Sequence, residues 1–97
     1  MAEQRFRLVG DADLLAAPEI SEDLRRVIDA CGDDLVIDCM NLHFIDSSGI
    51  AVLIEARHRL DGQGHKLRIV NMPPTGRRAI EALALTAFLG VDGRDTP

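Results

Sequence analysis

The chain contains no tryptophan and no tyrosine, and three phenylalanines are its only aromatics. A core must therefore be built from Leu, Ile, Val and Ala. Cysteine is nearly absent. Cys31 and Cys39 are the only two, without CxxC spacing and without clustered histidines. That pattern excludes an ordinary zinc site, and no metal is expected. Two buried thiols in a reducing compartment are the simplest account. Basic charge is short as well, with 11 Lys and Arg against 16 Asp and Glu and a formal net charge of -5. A nucleic-acid surface needs a basic face, so no nucleic-acid partner is expected. The acidic balance favours solubility and a basic protein partner. No apolar run approaches the roughly 20 residues of a membrane-spanning helix, and no membrane insertion is expected. The start, Met1-Ala2-Glu3-Gln4-Arg5, lacks the apolar centre of a signal peptide. A cytoplasmic location is the expectation.

What is present fits a single domain. The 97 residues are 46% hydrophobic, and neither a repeat nor a low-complexity linker interrupts them. Arg5 to Gly10 alternates, with Phe6 and Leu8 on one face and Arg5 and Arg7 on the other, as a half-buried strand does. Gly10-Asp11-Ala12-Asp13 breaks it. Ile20, Leu24, Val27, Ile28 and Cys31 then recur at helical spacing behind Pro18, which predicts a helix over Ala17 to Cys31 ended by Gly32. Leu35-Val36-Ile37-Asp38-Cys39 reads as a central strand covered on both faces. Asp38 caps or bonds the connector that follows it. Met40 to Ile45 is that connector, with Met40, Leu42 and Phe44 as core or connector packing. Val52, Leu53, Ala56 and Leu60 restore helical spacing from Ser48, and Gly62 and Gly64 end that helix. Lys66 to Val70 is a third strand. Pro73-Pro74 breaks the pattern, and Thr75 caps a helix carrying Ala79, Ile80 and Leu83. Phe88 to Val91 adds a short edge strand. Residues 1–4 and 92–97 are expected to fray. The alternation of strand and helix predicts an α/β domain over 1–97. Its sheet is small, mixed and partly parallel, with roughly four strands and helices packed against it. Loops at the C-terminal strand ends then carry the site, and these hold Asp11 and Asp13 in one and Asp46, Ser47 and Ser48 in the other.

The run Phe44-Ile45-Asp46-Ser47-Ser48-Gly49-Ile50 is the most informative stretch. An apolar segment ends there and an amphipathic helix begins, with two hydroxyls behind a carboxylate. A serine nucleophile needs a base and an oxyanion hole. His43, His58 and His65 are poorly placed for that role, and no GxSxG elbow occurs. Nucleotide motifs are missing too, with no Walker A lysine and no GxGxxG. Asp46 or Ser47 is expected to cap the helix through its free backbone N–H groups. A second role for Ser47 is modification by another protein. Phosphate adds roughly -1.5 to -2 charges at pH 7. The helix dipole tolerates that charge while the nearby carboxylates resist it. The fold would survive, and a partner packed over the rim would meet a new charge.

Asp46-Ser47-Ser48-Gly49-Ile50, preceded by Val36-Ile37-Asp38, resembles the signature of the STAS-domain anti-sigma factor antagonists. Leu8-Val9-Gly10-Asp11-Ala12-Asp13 is similar to that family's Gly-acidic-apolar-Asp loop. Leu67-Arg68-Ile69-Val70-Asn71 and Arg77-Arg78-Ala79-Ile80 follow in its order and spacing, so the resemblance covers nearly the whole chain. It implies a STAS-like domain that regulates transcription by binding an anti-sigma factor serine kinase and releasing its sigma factor, in a stress response. It implies Ser47 as the phosphoacceptor and a phosphatase that resets it. Asp11, Asp13, Asp46, Ser47, Ser48 and Gly49 become the partner-binding residues. The chain is then a substrate and regulator and not an enzyme. It has no catalytic residue and no cofactor of its own, since ATP and Mg²⁺ belong to the kinase. Two departures are visible against the family. A strand that usually precedes the Gly10 strand is missing, and the C-terminal helix is shortened. The resulting open edge invites a homodimer or strand addition. The rival resemblance is a STAS accessory subunit that binds the ATPase of an ABC-type lipid transporter, without a phosphorylation cycle. Arg57, Arg59, Arg68, Arg77 and Arg78 read as solvated faces before partner contacts. Leu14 and Leu15 are either core residues at the helix start or apolar contacts at the partner interface.

Overall fold

The computed structural model describes residues 3–92, apart from the side chain of Cys31. The expected burial of Cys31 and the expected fraying of 93–97 lie outside the described residues. Five strands and four helices follow one another as β1 (Gln4–Arg7), β2 (Gly10–Ala12), α1 (Ala17–Cys31), β3 (Leu35–Asp38), β4 (Leu42–Ile45), α2 (Ser47–Gly62), β5 (Leu67–Val70), α3 (Pro74–Ala82) and α4 (Thr86–Leu89). A three-stranded sheet runs β1-β3-β5 and a two-stranded one β2-β4, every pair parallel. The α/β architecture expected from the alternation is present.

Two predicted irregular stretches are strands. Gly10–Ala12 pairs with β4, and Met40–Ile45 contains β4 itself. The ladder crosses the interruptions through Leu8 N donating to Asp38 O and Gly10 N donating to Asn41 O, both at 3.0 Å. Gly10 supplies the reason for the break. Its φ of +76° suits glycine, and the register shifts between Gly10 and Asp11 as in a bulge. A turn-like composition there marks an interruption within a longer pairing.

Other boundaries also need correction. Thr75 does not cap the third helix. Pro73 stands at the N-cap without a side-chain bond, and Thr75 lies inside the first turn. The edge strand expected at Phe88 to Val91 is not formed, since Phe88 and Leu89 belong to helix α4 and Gly90 ends it. Only Val91 bridges to Ile69, with Ile69 N donating to Gly90 O at 2.8 Å. Gln4 is paired with Leu35, and Asp92 N donates to Ile69 O at 2.8 Å, so neither frays.

The core is aliphatic, as the lack of aromatics requires. Leu24 and Ile28 of α1, Leu53 and Leu60 of α2, Leu35 and Ile37 of β3, Ile69, Ile80 and Leu89 are all buried. Leu35, Val36 and Ile37 are buried in succession, which a central strand covered on both faces demands. The two long helices are joined at their exposed edges. Arg59 forks onto Asp29 at 2.6 and 2.9 Å, and Ser21 Oγ donates to Glu55.

Asp38 ties the interrupted strands together. Its Oδ2 accepts from Arg5 at 2.9 Å, while Oδ1 accepts from Met40 N at 3.0 Å and Asn71 Nδ2 at 3.1 Å. The expected bond to the connector is therefore made. Burial pushes this carboxyl up, but the bonds from Asn71, Met40 and Arg5 outweigh it and hold Asp38 below the usual carboxylate value. Most of the arginines named above are also structural. Arg57 holds Asp61 at 2.9 Å and Phe88 O at 2.5 Å, Arg68 holds Asp92 at 2.9 Å, and Arg77 holds Asp92 O at 3.1 Å.

Candidate functional site

The two strands of the smaller sheet end side by side, with Ala12 in register with Ile45. Each is followed by an aspartate, Asp46 directly before α2 and Asp13 before the turn that leads into α1. Asp46 is extended, at φ -114° and ψ -170°, and its Oδ1 accepts from Ser48 N at 2.8 Å and Gly49 N at 3.2 Å. Two orphan donors of α2 are thereby satisfied, the capping role expected of Asp46 or Ser47. Asp46 N donates to Ala12 O at 3.2 Å, which fastens the junction to the end of β2.

The N-cap of α1 is Ala16, without a side-chain bond, and Asp13 instead holds the turn before it. Its Oδ1 accepts from Ala16 N at 3.0 Å, and its carbonyl accepts from Ala17 N at 2.8 Å. Ala16 already has helical angles, so Leu14 and Leu15 form a first turn held by Asp13. That turn is far from core. Leu14 is 71% exposed and Leu15 91%, so the helix-start core reading of these two residues fails. Proximity of the two helix starts is enforced by Gly49. A Cβ there would lie 2.3 Å from Ala12 O and 2.7 Å from Ile45 Cγ1. Only glycine lets the first turn of α2 approach the backbone of β2 so closely.

Ser47 is the first residue of α2 and is exposed, whereas Ser48 is half-buried. Among the described residues the Ser47 hydroxyl makes no hydrogen bond, so no base is aimed at it. His58 packs against the Phe88 ring at 5.5 Å, and His65 lies 3.6 Å from Asp34. Asp11 sits within β2, in register with Phe44, and both are exposed. The structure thus brings Asp13, Asp46, Ser47, Ser48 and Gly49 to one rim, with Asp11 on the adjoining strand.

Sequence reasoning misplaced one residue of β4 and one in the turn before it. Met40 and Phe44, taken as packing residues, are 66% and 51% exposed, although Leu42 between them is buried. It also gave no role to Ala12, whose carbonyl anchors Asp46 and sets the crowding at Gly49. No residue-type signal marks an alanine for that task.

Asp33, Asp34 and His65 are the described residues whose donor atoms could share a cation, within 4.8 Å of one another. They lie at the opposite strand ends from Ser47. Asp34 Oδ1 there accepts from Lys66 N at 2.9 Å, and Asp33 Oδ1 accepts from Asp34 N at 2.8 Å. Among the described residues no helix is long and apolar enough to cross a membrane.

Paired parallel strands, one releasing into the Asp46-capped α2 and the other into the Asp13 turn before α1, define a small α/β domain whose candidate functional edge is their shared end. The STAS domain family model matches residues 5–94, and the chain belongs to that family. Two solved structures of the anti-sigma factor antagonist SpoIIAA share the fold. Its unphosphorylated form is 23% identical, with a TM-score of 0.77, over 99% of this chain and 83% of that one. The phosphorylated form, from Bacillus, is 22% identical, with a TM-score of 0.73, over 95% and 81%. No curated protein matches the sequence.

Proposed function

We propose that this chain is an anti-sigma factor antagonist. It binds a cognate anti-sigma factor serine kinase, releases the sigma factor held there, and is switched off by phosphate on Ser47. The observation that carries the reading is the state of Ser47. It is exposed, its hydroxyl is unengaged by any described residue, and it opens a helix whose cap is provided by its neighbour Asp46. Modification of Ser47 therefore leaves the cap in place. Membership in the STAS family and a fold shared with a protein solved in unphosphorylated and phosphorylated forms support the same reading.

In this cycle the chain is substrate and regulator. The kinase brings ATP and Mg²⁺, and a phosphatase restores the hydroxyl. The new dianion at Ser47 would face the kinase across a surface that already contains Asp13 and Asp46. Burying that dianion carries a desolvation cost that the neutral hydroxyl does not, so the complex dissociates without refolding the antagonist.

Mass spectrometry of the chain from its own host, with and without stress, tests this. Phosphate confined to Ser47, absent in Ser47→Ala and changing with stress, is the expected result. Ser47→Ala should retain kinase binding, and Ser47→Asp should weaken it. Stoichiometric phosphate on another residue in Ser47→Ala would overturn the assignment. An unmodified chain that co-purifies with a transporter ATPase would instead indicate the constitutive accessory subunit.

A further inference from the structure

Six large apolar residues are exposed among those described, and their placement is uneven. Leu14, Leu15 and Phe44 lie on the segments that build the Ser47 rim, Val9 and Met40 lie beside Arg7 and Asp38 where β2 and β4 begin, and Leu83 lies elsewhere. Single exposed leucines are ordinary, but adjacent ones at 71% and 91%, with Phe44 exposed on the adjoining strand, are a patch. The turn that carries Leu14 and Leu15 is fixed by both Asp13 bonds, so the side chains are presented on an ordered backbone. Little ordering entropy is then lost when a partner covers them.

Charge is equally uneven. Neither segment 8–24 nor segment 39–56 contains a lysine or arginine, and all 11 basic residues lie outside them. Asp11, Asp13, Glu19, Glu22 and Asp46 fall inside. A second copy packed face to face would set these acids against themselves. The complementary surface is therefore an apolar groove with basic side chains along its border.

We propose that Leu14 and Leu15 are the apolar anchor by which this chain docks on its kinase. They enter such a groove and set which kinase is recognised, separately from the chemistry at Ser47. The inference rests on the antagonist reading above. It adds a determinant of partner choice that does not take part in phosphoryl transfer. The anchor raises local affinity and so the occupancy of Ser47 in the kinase, while the transfer step itself is untouched.

The experiment uses the anti-sigma factor serine kinases of the source organism, purified one by one, with the full chain and its Leu14→Ser/Leu15→Ser variant. Both positions are exposed, and the melting temperature of the variant should equal that of the wild type. Calorimetry should show binding of one kinase weakened tenfold or more, about 1.4 kcal/mol. KM for Ser47 phosphorylation should rise with kcat unchanged. Equal affinity and equal KM in the two proteins would overturn the anchor while leaving the antagonist reading intact. A fall in kcat with unchanged KM would also overturn it, because the leucines would then act on the transfer step. Failure of the wild-type chain to bind any of these kinases would overturn the reading and the anchor together.

Discussion

Asp46 and Gly49 do different work within three residues of each other. Asp46 satisfies two amides, so Asp46→Ala should cost about 0.5–2 kcal/mol in urea unfolding, the usual cost of a lost cap. Gly49→Ala should cost more, about 1–3 kcal/mol, because its methyl would collide with a backbone carbonyl that cannot rotate aside. If Gly49→Ala were neutral, the close approach of α2 to β2 would be wrong. Cys39 gives a pH test at the same scale. Burial first, and the charge of Asp38 second, push its thiol up to about 12. An unfolded thiol ionises near pH 8.5, about the ordinary value. Its folded value is raised, so its contribution is complete below that pH and lost as pH rises toward about 12. Stability should fall with a slope of up to about 1.4 kcal/mol per pH unit, a component absent in Cys39→Ala. A cap by Asp46 or Ser47 was legible in the sequence because capping is local backbone chemistry. The exposure of Phe44 was not, since it depends on what covers the far face of a strand.

Between elements, Asp38 is the joint most open to test. It receives Arg5 from β1, Met40 from the break before β4 and Asn71 from the end of β5. Asp38→Ala should cost about 1–3 kcal/mol at neutral pH, since it removes three hydrogen bonds to a charged acceptor. Its native carboxyl is held below the unfolded value. The stabilisation is therefore fully present above the unfolded value, about pH 4, and is lost as pH falls through the folded one. Wild-type stability should decline more steeply than that of Asp38→Ala on acidification from about pH 5, and parallel profiles would exclude the linkage. The same region shows why some elements were hidden. A strand interrupted by a bulge at Gly10 and a two-residue turn at Met40-Asn41 reads as loop, because each surviving piece is too short to show periodicity. Helix α1 was legible to its last residue, because its apolar spacing is long and Gly32 stops it in the left-handed region. Helix α4 has only four residues and no such pattern. It is held from outside, by Arg57 bonding Phe88 O and stacking over its ring at 5.0 Å.

At the scale of the whole molecule, charge is sorted by surface. The basic residues sit outside the segments that build the rim and mostly serve ion pairs within the fold, while the rim itself is acidic and apolar. Such a field acts at long range and should speed encounter with a basic kinase surface. Screening shortens it, to about 10 Å at 0.1 M salt. Raising salt should therefore slow association with the kinase steeply while leaving the dissociation set by Leu14 and Leu15 nearly constant. Phosphate on Ser47 acts in the opposite sense, at short range. The N-terminus of α2 stabilises it by about 0.3–1 kcal/mol, and the adjoining aspartates oppose it. The two effects nearly cancel within the fold, so Ser47→Asp should shift the melting temperature by less than about 8 °C. In the proposed complex the charge would also have to be desolvated, a cost that the free fold does not meet. Stopped-flow traces of the Ser47→Asp chain should accordingly show faster dissociation with association little changed. A selective loss of association would mean that the charge acts through the long-range field instead.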